Sequence, residues 1–150
     1  MTQRRQILAA GLGLALTAVV RPAAATPEKM AAAIAAFTGN KLPKTGRVQL
    51  DIAKIIDNGN TVPVTITVDS PMTAEDHVTD IAIFNEKNPE TDVIRCMLGP
   101  RAGKAQVSTR IRLATSQKLT AVARMSDGSC WQQTVDLIVA LAACLEGEAL

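Results

Sequence analysis

From Gly46 onward the chain alternates apolar and polar residues with a period of two. The clearest stretch sets Val62, Val64, Ile66 and Val68 against Pro63, Thr65 and Thr67, as expected of a strand with one buried face. Pro63 lacks a backbone donor, which suits the start of a strand or an edge. Similar stretches lie at Val78–Phe84, Val93–Leu98, Gln106–Leu113, Lys118–Met125 and Trp131–Val139, with a shorter one at Arg47–Leu50. Between them stand Asp57-Asn58-Gly59-Asn60, Ser70-Pro71, Asn88-Pro89, Gly99-Pro100 and Asp127-Gly128, residue types that turn the chain. About seven short strands separated by turns predict an all-β, immunoglobulin-like β-sandwich. Ahead of them, residues 26–37 read as a short helix. Thr26 can cap it, Pro27 suits its first position, and the alanines after Met30 favour it. Met30, Ile34 and Phe37 recur at helical spacing and face the domain, and Gly39 ends the helix.

The first 25 residues follow a different pattern. Arg4 and Arg5 precede an apolar run from Ile7 to Val20, and Arg21-Pro22-Ala23-Ala24-Ala25 follows. A charged start, a short apolar stretch and a small-residue A-x-A site describe an export signal. The run falls short of the ~20 apolar residues a membrane-spanning helix needs. Arg4-Arg5-Gln6-Ile7-Leu8 looks like a twin-arginine signal, which exports folded proteins, and is preferred over the general secretory route. Cleavage after Ala25 leaves a mature chain of residues 26–150, with a domain over 26–139 and a C-terminal arm over 140–150. The expected location is periplasmic, an oxidising space.

Export changes the meaning of the charge. The whole chain carries +2, but removing Arg4, Arg5 and Arg21 leaves thirteen basic residues against fourteen acidic ones. The apparent lean toward nucleic acid or membrane disappears. With Phe37, Phe84 and Trp131 as its only aromatics, the chain also lacks stacking platforms for single-stranded nucleic acid. It contains no phosphate-cradling glycine run and no G-x-S-x-G elbow. His77 is the only histidine, so a catalytic triad has no spacing to support it, and no metal or cofactor is expected. The only zinc ligands of the Cys/His type, Cys96, Cys130, Cys144 and His77, are scattered without metal-site spacing.

Three cysteines leave at least one unpaired within the chain. Cys96 shares the apolar phase of Ile94 and Leu98. Cys130 falls in the phase of Gln132, Thr134 and Asp136, opposite Trp131, Val135 and Leu137. A structural Cys96–Cys130 disulfide therefore requires a bulge near Ser129, and it stays open as an alternative. Cys144 differs in kind. It sits in Ala140-Leu141-Ala142-Ala143-Cys144-Leu145-Glu146-Gly147-Glu148-Ala149-Leu150, a tail that reaches ~35 Å if extended over about ten residues. The competing reading is a short Ala/Leu helix with Cys144 as filler.

Several blocks carry a family resemblance. Asp57-Asn58-Gly59-Asn60-Thr61-Val62-Pro63-Val64 is similar to the E-N-G-N-x-V-P-V of SoxY, the sulfur-carrier subunit of the periplasmic thiosulfate-oxidising system. Ser70-Pro71-Met72, Asn88-Pro89, Thr109-Arg110-Ile111-Arg112-Leu113-Ala114, Gln117, and Asp127-Gly128 before Trp131 continue it in family order. The resemblance implies an immunoglobulin-like fold, a SoxZ-like partner subunit, and covalent attachment of a sulfur compound at Cys144 for visiting enzymes. It implies a carrier without catalysis of its own. The family's arm is G-G-C-G-G, whereas Ala142-Ala143-Cys144-Leu145-Glu146 resembles the SoxY-related proteins with an A-A-C-I-E arm. Alanine and leucine stiffen where glycine frees, and Glu146 and Glu148 disfavour a thiolate. A binding or assembly module with no covalent cargo is therefore the second reading, and an enzyme using Cys144 as nucleophile the third.

Overall fold

The computed structural model describes residues 24–141. The first element among the described residues is helix α1, Pro27–Thr38, which forms where the sequence placed it. The Thr26 hydroxyl accepts the Lys29 amide at 3.2 Å, satisfying one of the donors a helix start leaves unpaired. Pro27 occupies the first turn, and Gly39, at φ 64°, closes the other end in the left-handed region, where glycine carries no Cβ penalty.

Nine strands follow among the described residues: β1 Lys44–Thr45, β2 Val48–Asp51, β3 Ile55–Asn58, β4 Val62–Val68, β5 Val78–Asn85, β6 Asp92–Met97, β7 Gln106–Ile111, β8 Gln117–Met125 and β9 Cys130–Leu141. One sheet runs β1-β9-β8-β5-β6, with β3 also on β9, and the other runs β2-β4-β7. The inner faces pack Val62, Val64 and Ile66 of β4 against Ile81 and Ile83 of β5 and Leu119 and Ala121 of β8, with Leu113 beside them, all nearly solvent-free. This is the expected immunoglobulin-like sandwich. Pro63 is tolerated because β2 pairs only with Thr65–Val68, so one side of β4 is uncovered there and no ladder bond is lost.

Helix α1 covers the outer face of the larger sheet. Phe37 meets Phe84 edge to face at 5.7 Å, over Ala82 and Val122, with Met30 and Ile34 packed alongside. Burying Phe37 is worth about 2–3 kcal/mol. Arg124 pins this contact. Its Nε and Nη2 donate to Asp80 Oδ2 at 3.0 and 2.7 Å, Nη1 donates to the Phe37 carbonyl, and the guanidinium lies 5.3 Å from the Phe37 ring centre.

Two strands escape the sequence pattern. β1 has two residues, too few for periodicity, and β3 ends in Asp57 and Asn58, which read as turn. Both pair in parallel with β9, β1 at Trp131 and Gln132, β3 at Ile138, Val139 and Leu141. Between these points the Gln133 side chain crosses to the other sheet and accepts the Leu50 amide. β9 also runs to Leu141, so Ala140 and Leu141 belong to the sheet rather than to the arm.

The Cys96–Cys130 disulfide is corrected by this topology. Both thiols are free. Cys96 is in register with Ile81, which faces Ala123, on the inner side; Cys130 is in register with Arg124, which faces Asp80, on the outer side. They lie on opposite faces of one sheet, three strand spacings or about 14 Å apart, whereas a bridge needs Cα atoms within ~7 Å.

Candidate functional site at the base of the arm

The two described cysteines offer little chemistry. Cys130 is buried, and burial pushes its thiol above the ordinary range, with the Arg124 and Lys41 charges opposing the shift more weakly. Its Sγ lies 3.9 Å from the Gly128 carbonyl. Cys96 is half-buried on the inner face. His77 is tied into its loop, with Nδ1 2.9 Å from the Thr73 carbonyl and its amide donating to Ser126 Oγ. Among the described residues no three His, Cys, Asp or Glu side chains gather as metal ligands. Cys144 lies outside the described residues, three positions beyond Leu141.

What the structure does describe is the place from which Cys144 hangs. The end of β9 is clamped on both sides. The Ile138 amide donates to the Lys54 carbonyl, and the Val139 amide to Ser116 Oγ, both at 2.8 Å. The Leu141 carbonyl accepts the Gly59 amide at 2.9 Å, while the Gly59 carbonyl accepts the Leu113 amide at 2.9 Å. Gly59 thus joins β9 to the turn after β7. A Cβ there would lie 2.4 Å from the Leu113 oxygen and 3.1 Å from Val139 Cγ1, so only glycine fits this approach. Asn58 prepares the turn, its Oδ1 accepting the Asn60 amide at 2.9 Å.

The remaining blocks at this end brace the clamp. Asn88 Oδ1 accepts the Ala114 amide and Gln117 Nε2, and its Nδ2 donates to the Arg112 carbonyl. Gln117 Oε1 in turn accepts the Lys87 amide. Fully buried Asn85 donates to the Glu90 and Thr91 carbonyls and accepts from Lys87 and Asn88, so the network has no buried polar atom left unpaired. The blocks Asp57–Val64, Asn88-Pro89, Thr109–Ala114 and Gln117 therefore converge on one end of the sandwich. Ser70-Pro71-Met72 and Asp127-Gly128 serve the other end, where buried Met72 accepts the Val78 amide on Sδ at 3.4 Å.

Sequence reasoning missed the roles of Gly59, Leu113 and Ser116, and with them two exposed isoleucines. Ile55 and Ile138 are register partners and are 69% and 60% exposed, while Leu141, 59% exposed, falls in the opposite phase of β9 with Val139. The only sequence signal was Asn58-Gly59, which marked a turn but not its neighbour, because a parallel pairing leaves no local signature.

Covalent geometry bounds the site. With Leu141 held in the sheet, the Cys144 Cα stays within about 11 Å of the Leu141 Cα. The ~35 Å expected of the tail belongs to its terminus, not to its cysteine.

The described domain is thus a two-sheet immunoglobulin-like sandwich whose clamped last strand leads to a closely tethered cysteine. The chain belongs to the SoxY family: the family model described as "Sulfur oxidation protein SoxY" matches residues 34–144. Among solved structures, the sulfur carrier protein SoxY from Chlorobium limicola f thiosulfatophilum is 30% identical with a TM-score of 0.61, over 75% of this chain and 96% of that one. A superoxide reductase (neelaredoxin) from Ignicoccus hospitalis is 16% identical with a TM-score of 0.56, over 77% and 94%. A putative superoxide reductase from Thermotoga maritima is 19% identical with a TM-score of 0.54, over 69% and 89%. The last two share the fold alone. No curated protein matches the chain.

Proposed function

We propose that this protein is an exported, periplasmic sulfur carrier that holds a sulfur compound covalently on Cys144 for partner enzymes of sulfur oxidation. The observation that carries the reading is that the family match runs through residue 144, three residues past the clamped end of β9. A twin-arginine signal over residues 1–25, removed after Ala25, delivers the folded chain. A SoxZ-like subunit pairs with the sandwich through exposed sheet edges, whose main-chain groups suit strand addition.

The carrier has no catalysis of its own. In exchange with a disulfide-like donor, the Cys144 thiolate attacks one sulfur of the donor, forms a new S–S bond and expels the other sulfur as a thiolate, so no external oxidant is needed. In conjugation with thiosulfate, the thiol loses its proton and the new S–S bond releases two electrons, which the partner enzyme accepts. Glu146 and Glu148 disfavour the free thiolate, which leaves deprotonation to the partner's site and keeps Cys144 quiet between visits.

Intact-mass measurement tests the reading. The mature protein, with its partner subunit, thiosulfate and the enzymes of its own sulfur-oxidation system, gains a sulfur-bearing adduct that Cys144→Ser lacks. No adduct, or the same adduct on Cys144→Ser, overturns it. The second reading, a SoxY-related assembly module without cargo, rests on the Ala142-Ala143 and Leu145-Glu146 that replace flexible glycines. Unloaded wild-type protein whose partner co-purifies equally well with Cys144→Ala favours that module.

A further inference from the structure

Accepting Cys144 as the carrier cysteine, the reading on which this inference rests, raises the question of how an enzyme gets at it. A cysteine whose Cα stays within about 11 Å of Leu141 cannot enter another protein while the sandwich remains remote. Any macromolecule that encloses the sulfur must bring its own surface against the end of β9. Close upstream of that end the surface is apolar: Ile55 and Ile138 stand side by side on neighbouring strands, each more than half exposed. The ladder and the Lys54 and Ser116 contacts fix the backbone beneath them, so the patch is presented on a rigid element.

We propose that Ile55 and Ile138 form a docking collar, and that its occupant is the rim of the active-site mouth of the enzyme that acts on Cys144. The rim supplies apolar side chains facing Ile55 and Ile138. The short tether makes the contact obligatory: the collar seats first, and seating sets how deep Cys144 reaches. Burying such anchors at a contact centre is where interface energy concentrates.

The test uses Ile55→Asp and Ile138→Asp, singly and together, in the mature protein with its partner subunit. Two rates are read: enzyme-catalysed loading from thiosulfate, and alkylation of Cys144 by iodoacetamide. The collar predicts that the double variant loads at least about tenfold more slowly, while alkylation and the oligomeric state stay as in wild type. Loading at the wild-type rate overturns the inference. So does a parallel change in alkylation, which makes the chain's own tail the occupant, or a change in oligomeric state, which makes it a second copy. Wild-type protein that takes no adduct at all removes the carrier reading itself, a result distinct from loaded wild type with equally loaded variants.

Discussion

Replacing Gly59 by alanine puts one methyl group into the junction from which Cys144 hangs. The new Cβ would stand 2.4 Å from the Leu113 oxygen, 3.1 Å from Val139 Cγ1 and 3.3 Å from the Leu141 oxygen. Restoring ordinary contact, near 3.4 Å, requires the Leu113 carbonyl and Gly59 to part by about 1 Å. Two of the three contacts are backbone, so no side chain can rotate away. Overpacking of this kind costs about 1–3 kcal/mol, and weakening the Gly59–Leu113 bond adds about 1 kcal/mol. The smaller entropy of the unfolded alanine chain returns about 0.4–1 kcal/mol. The expected net loss is about 1–3 kcal/mol, or roughly 4–10 °C in Tm for a domain of this size. Gly99→Ala is the control, since a Cβ there meets nothing within 4 Å and its φ of −146° is ordinary extended backbone. Thermal unfolding of both variants, with hydrogen exchange at the amides of residues 59 and 113, measures the effect. If Gly59→Ala melts within a degree of wild type and keeps both amides protected, the clamp does not hold β9 as described.

Three further outcomes follow from side chains elsewhere. Arg124→Ala leaves Asp80, whose side chain is 11% exposed, without its two donors and unpins Phe37, and urea unfolding registers a loss of about 1–3 kcal/mol after allowing for the exposure of the arginine; a variant as stable as wild type refutes the anchoring role. Cys96 and Cys130 both alkylate in denaturant without reductant, and a mapped Cys96–Cys130 peptide pair would refute their separation across the sheet. Because burial raises the Cys130 thiol, the unfolded chain loses that proton first as pH rises through the ordinary thiol range. Stability therefore falls there until the folded thiol also ionises, and Cys130→Ala flattens that alkaline slope.

The parts of this fold that the sequence revealed are those whose partners impose a local period. β4 alternates because one face meets the opposite sheet and the other meets water, and α1 shows its cap, its first-turn proline and its left-handed glycine in order. The same alternation placed Cys130 on the outer phase, as found. β3 was hidden because Ile55–Asn58 is held by residues more than eighty positions away, and Asp57-Asn58-Gly59 carries the composition of a turn. Cys144 stood out by its place on the tail, and its assignment as the carrier cysteine came through resemblance. Its reach was not legible, because the freedom of a tail depends on where the last ladder bond falls, and that bond joins Leu141 to a glycine half a chain upstream.

The way β9 is bordered also governs what this protein avoids. A long edge strand offers a row of unpaired amides and carbonyls on which other chains can grow. Here β1 covers the beginning of that row, β3 covers its end, and Gln133 spends its carbonyl oxygen across the gap on Leu50. What remains of that row on β9 is the five residues between the two pairings, Gln133–Leu137. The border on this side is thereby cut into short pieces, and among the described residues the unpaired borders that stay open to another chain are those of β1, β2, β3, β6 and β7.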